Sequence, residues 1–180
     1  MISTLTPEEA ELFYKLWIPF REHLDFFRTV KFYSNQGMEL NFWDMDEDQI
    51  REYIQSRWSE MVDLYLETTK LPPEHREIVE SWKRAVSGKF LLERHLKKGS
   101  SFVALNSRTV YIVKGIDLSL QEMFAELPVS IETTLLPFRD KIIYDGTIIN
   151  SKPVFDRWTK ASCESLYSVS KQLKLIVTSL

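Results

Sequence analysis

One cysteine, five glycines and three histidines are a thin supply of the residues from which familiar catalytic and metal-binding motifs are built. With Cys163 alone, no intramolecular disulfide can form, and a reducing compartment is the natural expectation. His23, His75 and His95 lie far apart in the chain, outside any compact ligand spacing, so neither a metal nor a cofactor is expected. The scarcity of glycine leaves no phosphate-cradling loop, no dinucleotide fingerprint and no serine-hydrolase elbow. Long apolar runs are missing too, which argues against a membrane span. The stretch "MISTLTPEEAELFYKLW" carries acidic residues where a signal peptide would be basic, so the expected location is the cytoplasm. Finally, 23 basic side chains face 26 acidic ones, and a formal charge of -3 gives no broad positive field to draw nucleic acid or anionic lipid.

What the chain does have is apolar mass. Of its 180 residues 44% are hydrophobic and 13% aromatic, enough for one self-sufficient domain with a ring-rich core. The pattern predicts a helical portion over 1–87, an antiparallel sheet over 88–150 and a closing helix over 154–180. Thr6, Pro7 and Glu9 form a helix start with a capping box, and an apolar stripe from Leu12 to Phe27 follows at three- and four-residue steps. Pro19 predicts a kink or a junction of two helices, with helical character running to about Tyr33. A second helix is predicted from Glu47 to Thr68 with Asp46 as its cap, and a third from Glu74 to Val86.

Beyond Gly88 the period changes. "SFVALN" and "TVYIVKG" form the clearest hairpin, while residues 89–96 suit either a strand or a helix. A short helical turn is expected after Asp117, then two strands at 127–136 and 141–149, antiparallel because their connection is short. The predicted architecture is α+β: amino-terminal helices packed on a curved antiparallel sheet or small partly open barrel, with a carboxy-terminal helix.

Candidate chemistry is sparse. Asp44, Asp46 and Asp48 imitate the start of a calcium loop, but Gln49 and Gln55 stand where glycine and a bidentate glutamate are required. A helix start bearing solvated carboxylates is the better reading. Weak catalytic candidates are Tyr144 as proton donor, Asp145 as base, Arg139 as anion clamp, and His95. In a regular strand Tyr144 and Asp145 point to opposite faces, so "YDG" reads first as sheet geometry shaped by Gly146. A nucleic-acid surface could use Arg84, Lys89, Arg94, Lys97, Lys98 and Arg108 with interleaved aromatics, a disfavoured alternative because Glu80 and Glu93 interrupt the series. The terminal "TSL" reads as the end of a docked helix.

The stretches "FVALNSRTVYIVKGI" and "PVSIETTLLPFRDKIIYDGTI" resemble a segment of uncharacterised bacterial proteins. The matching motifs are Leu136-Pro137-Phe138 and Tyr144-Asp145-Gly146. The resemblance implies a bacterial, intracellular origin and a recurring sheet module without an established activity. Some such proteins carry a cysteine-rich metal-binding tail; this chain does not, so no metal function transfers. The leading expectation is a noncatalytic interaction or ligand-binding module, with a protein or small-molecule partner, through an aromatic-lined groove or an exposed strand edge. It leaves room for a homo-oligomer. An enzyme built on Tyr144 and Asp145 is the alternative.

Overall fold

A computed structural model describes residues 3–29, 32–33, 39–40, 47–153 and 157–180. The chain divides into two compact units, one of residues 12–83 and one of residues 1–11 with 84–180.

The helical unit grows from α1 (Pro7–Thr29), α2 (Glu47–Ser56), α3 (Trp58–Thr68) and α4 (Pro73–Ser81), with a two-residue pairing of β1 (Phe32–Tyr33) and β2 (Glu39–Leu40). The capping box forms as expected: the Thr6 amide donates to Glu9 Oε2 at 3.1 Å and the Glu9 amide to Thr6 Oγ1 at 3.3 Å. α1 runs through Pro19 as one element, and it stops at Thr29, so Phe32 and Tyr33 are strand rather than the end of a helix. The segment predicted as one helix from Glu47 to Thr68 is two. Arg57 leaves helical geometry at φ −115°, ψ 18°, and its amide is shared between the Tyr53 and Ile54 carbonyls at 3.3 and 3.2 Å. Asp44 and Asp46 lie outside the described residues.

The aromatic residues of this unit make its core. Trp82 is fully buried and meets Trp17 edge-on at 5.3 Å between centroids, while Phe20 meets Tyr65 at 5.3 Å. Trp58 Nε1 donates to the Trp82 carbonyl at 2.7 Å, satisfying an indole that would otherwise lose a partner on burial. Such ring pairs contribute about 0.5–1.5 kcal/mol each beyond area burial. The rings that suggested an aromatic-lined groove are therefore largely packing groups.

In the other unit β3 (Val86–Leu96), β4 (Gly99–Ala104), β5 (Val110–Lys114), β6 (Val129–Phe138) and β7 (Lys141–Tyr144) form a ring in the order β3-β4-β5-β7-β6, closed by β6 returning to β3. Residues 89–96 are strand, because β3 is needed on both edges: Phe90–Leu92 pair with Phe102–Ala104 on one side and with Val129–Ile131 on the other. The β6–β7 pair is antiparallel as its short turn predicts. The remaining seam, β5 with β7, is parallel and only two residue pairs long, Val113↔Ile142 and Lys114↔Ile143. A separate strand, β8 (Ile149–Pro153), lies antiparallel on β6, where a single strand had been expected to run from 141 to 149. The helical turn α5 (Leu120–Met123) precedes β6 and carries its own capping box on Ser119 and Glu122.

β4 is covered on both faces, and every one of its residues is buried. Strand alternation puts Phe90, Phe102 and Tyr111 on one face, with Phe90 6.0 Å from Phe102 and 6.2 Å from Tyr111. Leu91, Val103 and Val110 occupy the other face and are covered by Tyr167 and Leu166 of α6 (Arg157–Gln172).

α6 is shorter than its sequence periodicity suggests. Lys174 adopts φ +55°, the Leu175 amide bonds the Ser170 carbonyl at 2.8 Å and the Lys174 amide bonds that of Lys171 at 3.3 Å, a helix end of the Schellman type. The chain then turns back: Val177 accepts from the Ile112 amide at 3.0 Å and donates to the Val110 carbonyl at 2.9 Å. The last residues are thus a strand-like strap on β5, not a docked helix end, and Val169 and Leu173, which helical periodicity puts in line with Leu166, are exposed.

Candidate functional site

Where β5 passes from its partner β7 to the carboxy-terminal strap, the ring surface opens into a cavity of ≈ 630 Å³. Four separate stretches build it. The β3–β4 turn contributes Leu96, Lys97 and Lys98; β5 contributes Ile112 and Lys114, which alternate with the inward Tyr111 and Val113. The β6–β7 corner gives Asp140, Lys141 and Ile142, and the α6 end with its strap gives Tyr167, Lys171, Ile176 and Thr178. Tyr167 and Lys171 stand one helical turn apart, and Ile176 and Thr178 flank the residue whose backbone bonds β5, so each pair shares a side of its element.

The floor is apolar and the wall is cationic. Five lysines line the cavity against one carboxylate, Asp140. Lys141 is the one held most firmly: its Nζ lies 2.6 Å from Glu9 Oε1 and 3.2 Å from Asp140 Oδ1. Burial would lower its pKa, but the bonds to Glu9 and Asp140 raise it overall. Burial likewise works to raise Glu9, and the hydrogen bonds from Lys141 and the Thr6 amide, with the Lys141 and Arg139 charges, carry it below its ordinary value. Lys114 moves the other way. Burial, then the nearby Lys141 charge, depress its pKa against the opposing pull of Glu9 and Asp140. Among the described residues Lys97, Lys98 and Lys171 form no ion pair, leaving their ammonium groups available at the rim.

Of the residues singled out in the sequence, only Lys97 and Lys98 line this cavity. Arg84, Lys89 and Arg108 are exposed elsewhere on the same unit, with Arg108 at φ +56° in the turn after β4. Arg94 is engaged, bonded to Glu93 and lying 4.3 Å over the Tyr167 ring. His95 is a structural bridge: Nε2 donates to the Phe124 carbonyl at 2.8 Å, which leaves Nδ1 to accept from Ser100 Oγ at 2.9 Å.

Each catalytic candidate is engaged in local structure. Tyr144 is buried, its hydroxyl donating to Met123 Sδ at 3.5 Å, and burial, with the Asp117 and Asp145 charges, raises its pKa. Asp145 Oδ1 accepts from the Thr147 amide at 2.9 Å and so organises the turn after β7, while Arg139 stands half-exposed 3.9 Å from Glu9. "YDG" is therefore a strand end and its turn. No group of three or more His, Cys, Asp or Glu suited to a metal ion occurs among the described residues. No described helix is long and apolar enough to cross a membrane.

Lys114, Lys141 and Lys171 escaped sequence reasoning because each is an unremarkable charge in its own segment. The only local hint was alternation on β5, which puts Lys114 on the same side as Ile112. No family model, curated protein or solved structure matches the chain. The fold defines the class: an α+β protein with a mostly antiparallel five-stranded ring, a carboxy-terminal helix and a lysine-walled cavity.

Proposed function

We propose that this chain is a noncatalytic ligand-binding module that takes an anionic ligand in the lysine-walled cavity. The observation that carries the reading is five lysines lining one cavity from four chain segments beside an apolar floor, with one lining carboxylate among them. The volume lies within the ordinary range for small-molecule sites, and a few charged groups around apolar lining are how such sites fix orientation. Connectivity supports the placement. In barrels of the oligonucleotide- and oligosaccharide-binding type, ligands meet the second and third strands and the loops joining first to second and fourth to fifth. Counted in chain order from β3, those loops hold Lys97, Lys98 and Asp140, and the third strand holds Ile112 and Lys114. That support is fold analogy, and the lysines are the physical argument. The single cysteine favours action in a reducing, cytoplasmic setting.

Thermal unfolding of the full chain with matched anionic, neutral and cationic small organic compounds tests the reading. Anions alone should stabilise the protein, by about 2.7 kcal/mol at a hundredfold excess over Kd. Lys171→Glu should remove that response. Equal stabilisation by neutral compounds, or an undiminished response in Lys171→Glu, would refute it.

A further inference from the structure

Resting on that reading, we infer that the ligand is a compact organic phosphate monoester with an apolar or aromatic body, and not an extended polyanion. The first reason is charge matching. The five lysines and Asp140 of the lining, with Glu9 and Arg139 beside them, leave a formal +4, which a monoanionic carboxylate compensates poorly and a phosphate dianion compensates better. The second is the kind of cation. No arginine lines the cavity, so the planar fork that selects carboxylates bidentately is absent from the lining. Lysines are point charges with rotatable donors, suited to the several acceptor oxygens of one phosphate approached from different sides. The third is the floor of Leu96, Ile112, Ile142 and Ile176, with Tyr167 beside it, whose burial favours a ligand that brings apolar surface of its own.

An extended nucleic acid meets two obstacles. Single strands bind barrels of this kind by stacking bases on exposed aromatic rings along the sheet. Here Phe90, Phe102 and Tyr111 are turned to the packed face, and the opposite face of β4 is covered by α6. Tyr167, the ring nearest the cavity, is itself buried and already carries the Arg94 guanidinium. The strap at Ile176–Thr178 occupies the β5 edge that a tracking strand would follow. What is left is a half-open cavity of ≈ 630 Å³, on the scale of one small molecule.

The position of Lys114 supplies an independent signature. Its ammonium is disfavoured by burial and by Lys141, so a dianion arriving beside it restores the charged form and draws a proton from solution at alkaline pH. Affinity for the phosphate ester should accordingly fall as pH rises through the depressed Lys114 value.

Calorimetric titration of the full chain at low salt tests the assignment with phenyl phosphate, a nucleoside monophosphate, inorganic phosphate, benzoate and an oligothymidylate. At least one phosphate ester should bind about tenfold or more tightly than both inorganic phosphate and benzoate. Lys114→Met and Lys171→Met should each weaken it about tenfold, and Lys171→Arg should recover part of the loss, while Lys89→Met leaves it unchanged. Circular dichroism of each variant separates lost binding from lost folding. If benzoate equals or exceeds the esters, the phosphate assignment is wrong and the anion-binding reading survives. Tighter binding of oligothymidylate would overturn compactness in favour of nucleic acid. Silence from every anion would sink both readings together.

Discussion

Replacing Glu9 by glutamine isolates one negative charge at the edge of the cavity. The side chain is 13% exposed and its Oε1 lies 2.6 Å from Lys141 Nζ, so the charges interact in a partly desolvated setting. At an effective dielectric of about 20 their gross attraction is about 6 kcal/mol. Desolvation of both groups offsets most of it, and a pair between fully exposed and fully buried contributes a net of about 1–3 kcal/mol. Glutamine keeps an acceptor oxygen and can still close the capping box with Thr6, so the substitution removes charge while preserving shape. Because Glu9 has a folded pKa below its unfolded value, its contribution is fully present above the unfolded value and is lost as pH falls through the folded one. Urea unfolding followed by circular dichroism should therefore show Glu9→Gln less stable by about 1–3 kcal/mol at neutral pH. The gap should close in acid, with residual acid sensitivity from Asp140, which Lys141 also holds below its ordinary value. A gap that is absent at neutral pH, or that persists undiminished in acid, would refute the reasoning. The same substitution should tighten anion binding, since it frees Lys141 from one of its two carboxylates.

Two further changes test the local geometry that frames the cavity. A Cβ on Gly99 would stand 2.5 Å from the Val113 carbonyl oxygen at φ +151°, so Gly99→Ala should cost more than about 2 kcal/mol in urea unfolding; a cost under about 0.5 kcal/mol would mean that β4 and β5 are not in this register. Lys174 holds the left-handed position of the α6 end, so Lys174→Gly should raise the midpoint of thermal unfolding by an amount equivalent to about 0.5–1 kcal/mol while Lys174→Ala does not; equal effects would count against the Schellman end that launches the strap.

Much of the fold was legible where one short segment carries its own instructions. Thr6 with Glu9, and Asp117-Leu118-Ser119 ahead of the α5 turn, announce helix starts because the capping groups lie within four residues of one another. The β4–β5 hairpin is legible for the same reason, its turn residues sitting between two alternating runs. Residues 89–96 were ambiguous since their apolar positions satisfy both periods, and what decides is the demand of two neighbours, β4 and β6, for hydrogen bonds on both edges. The break at Arg57 had no Gly or Pro to mark it. The exposure of Val169 and Leu173 was equally hidden, because periodicity places residues on a face without saying where the covering surface ends.

The sequence by itself determined the class of the protein, the starts of α1 and α5, the β4–β5 hairpin and the antiparallel β6–β7 corner, since all of these local features follow from contacts between near neighbours in the chain. Only the tertiary structure decided that the ring closes, that one seam is parallel, that the last residues return to β5, and that the cationic wall exists. Lys97, Lys114, Lys141 and Lys171 sit on different elements, and the pair that sets the charge at their edge joins residues 132 positions apart. Electrostatic attraction depends on distance in space, and a linear pattern carries no record of it until the ring brings those charges within a few ångströms.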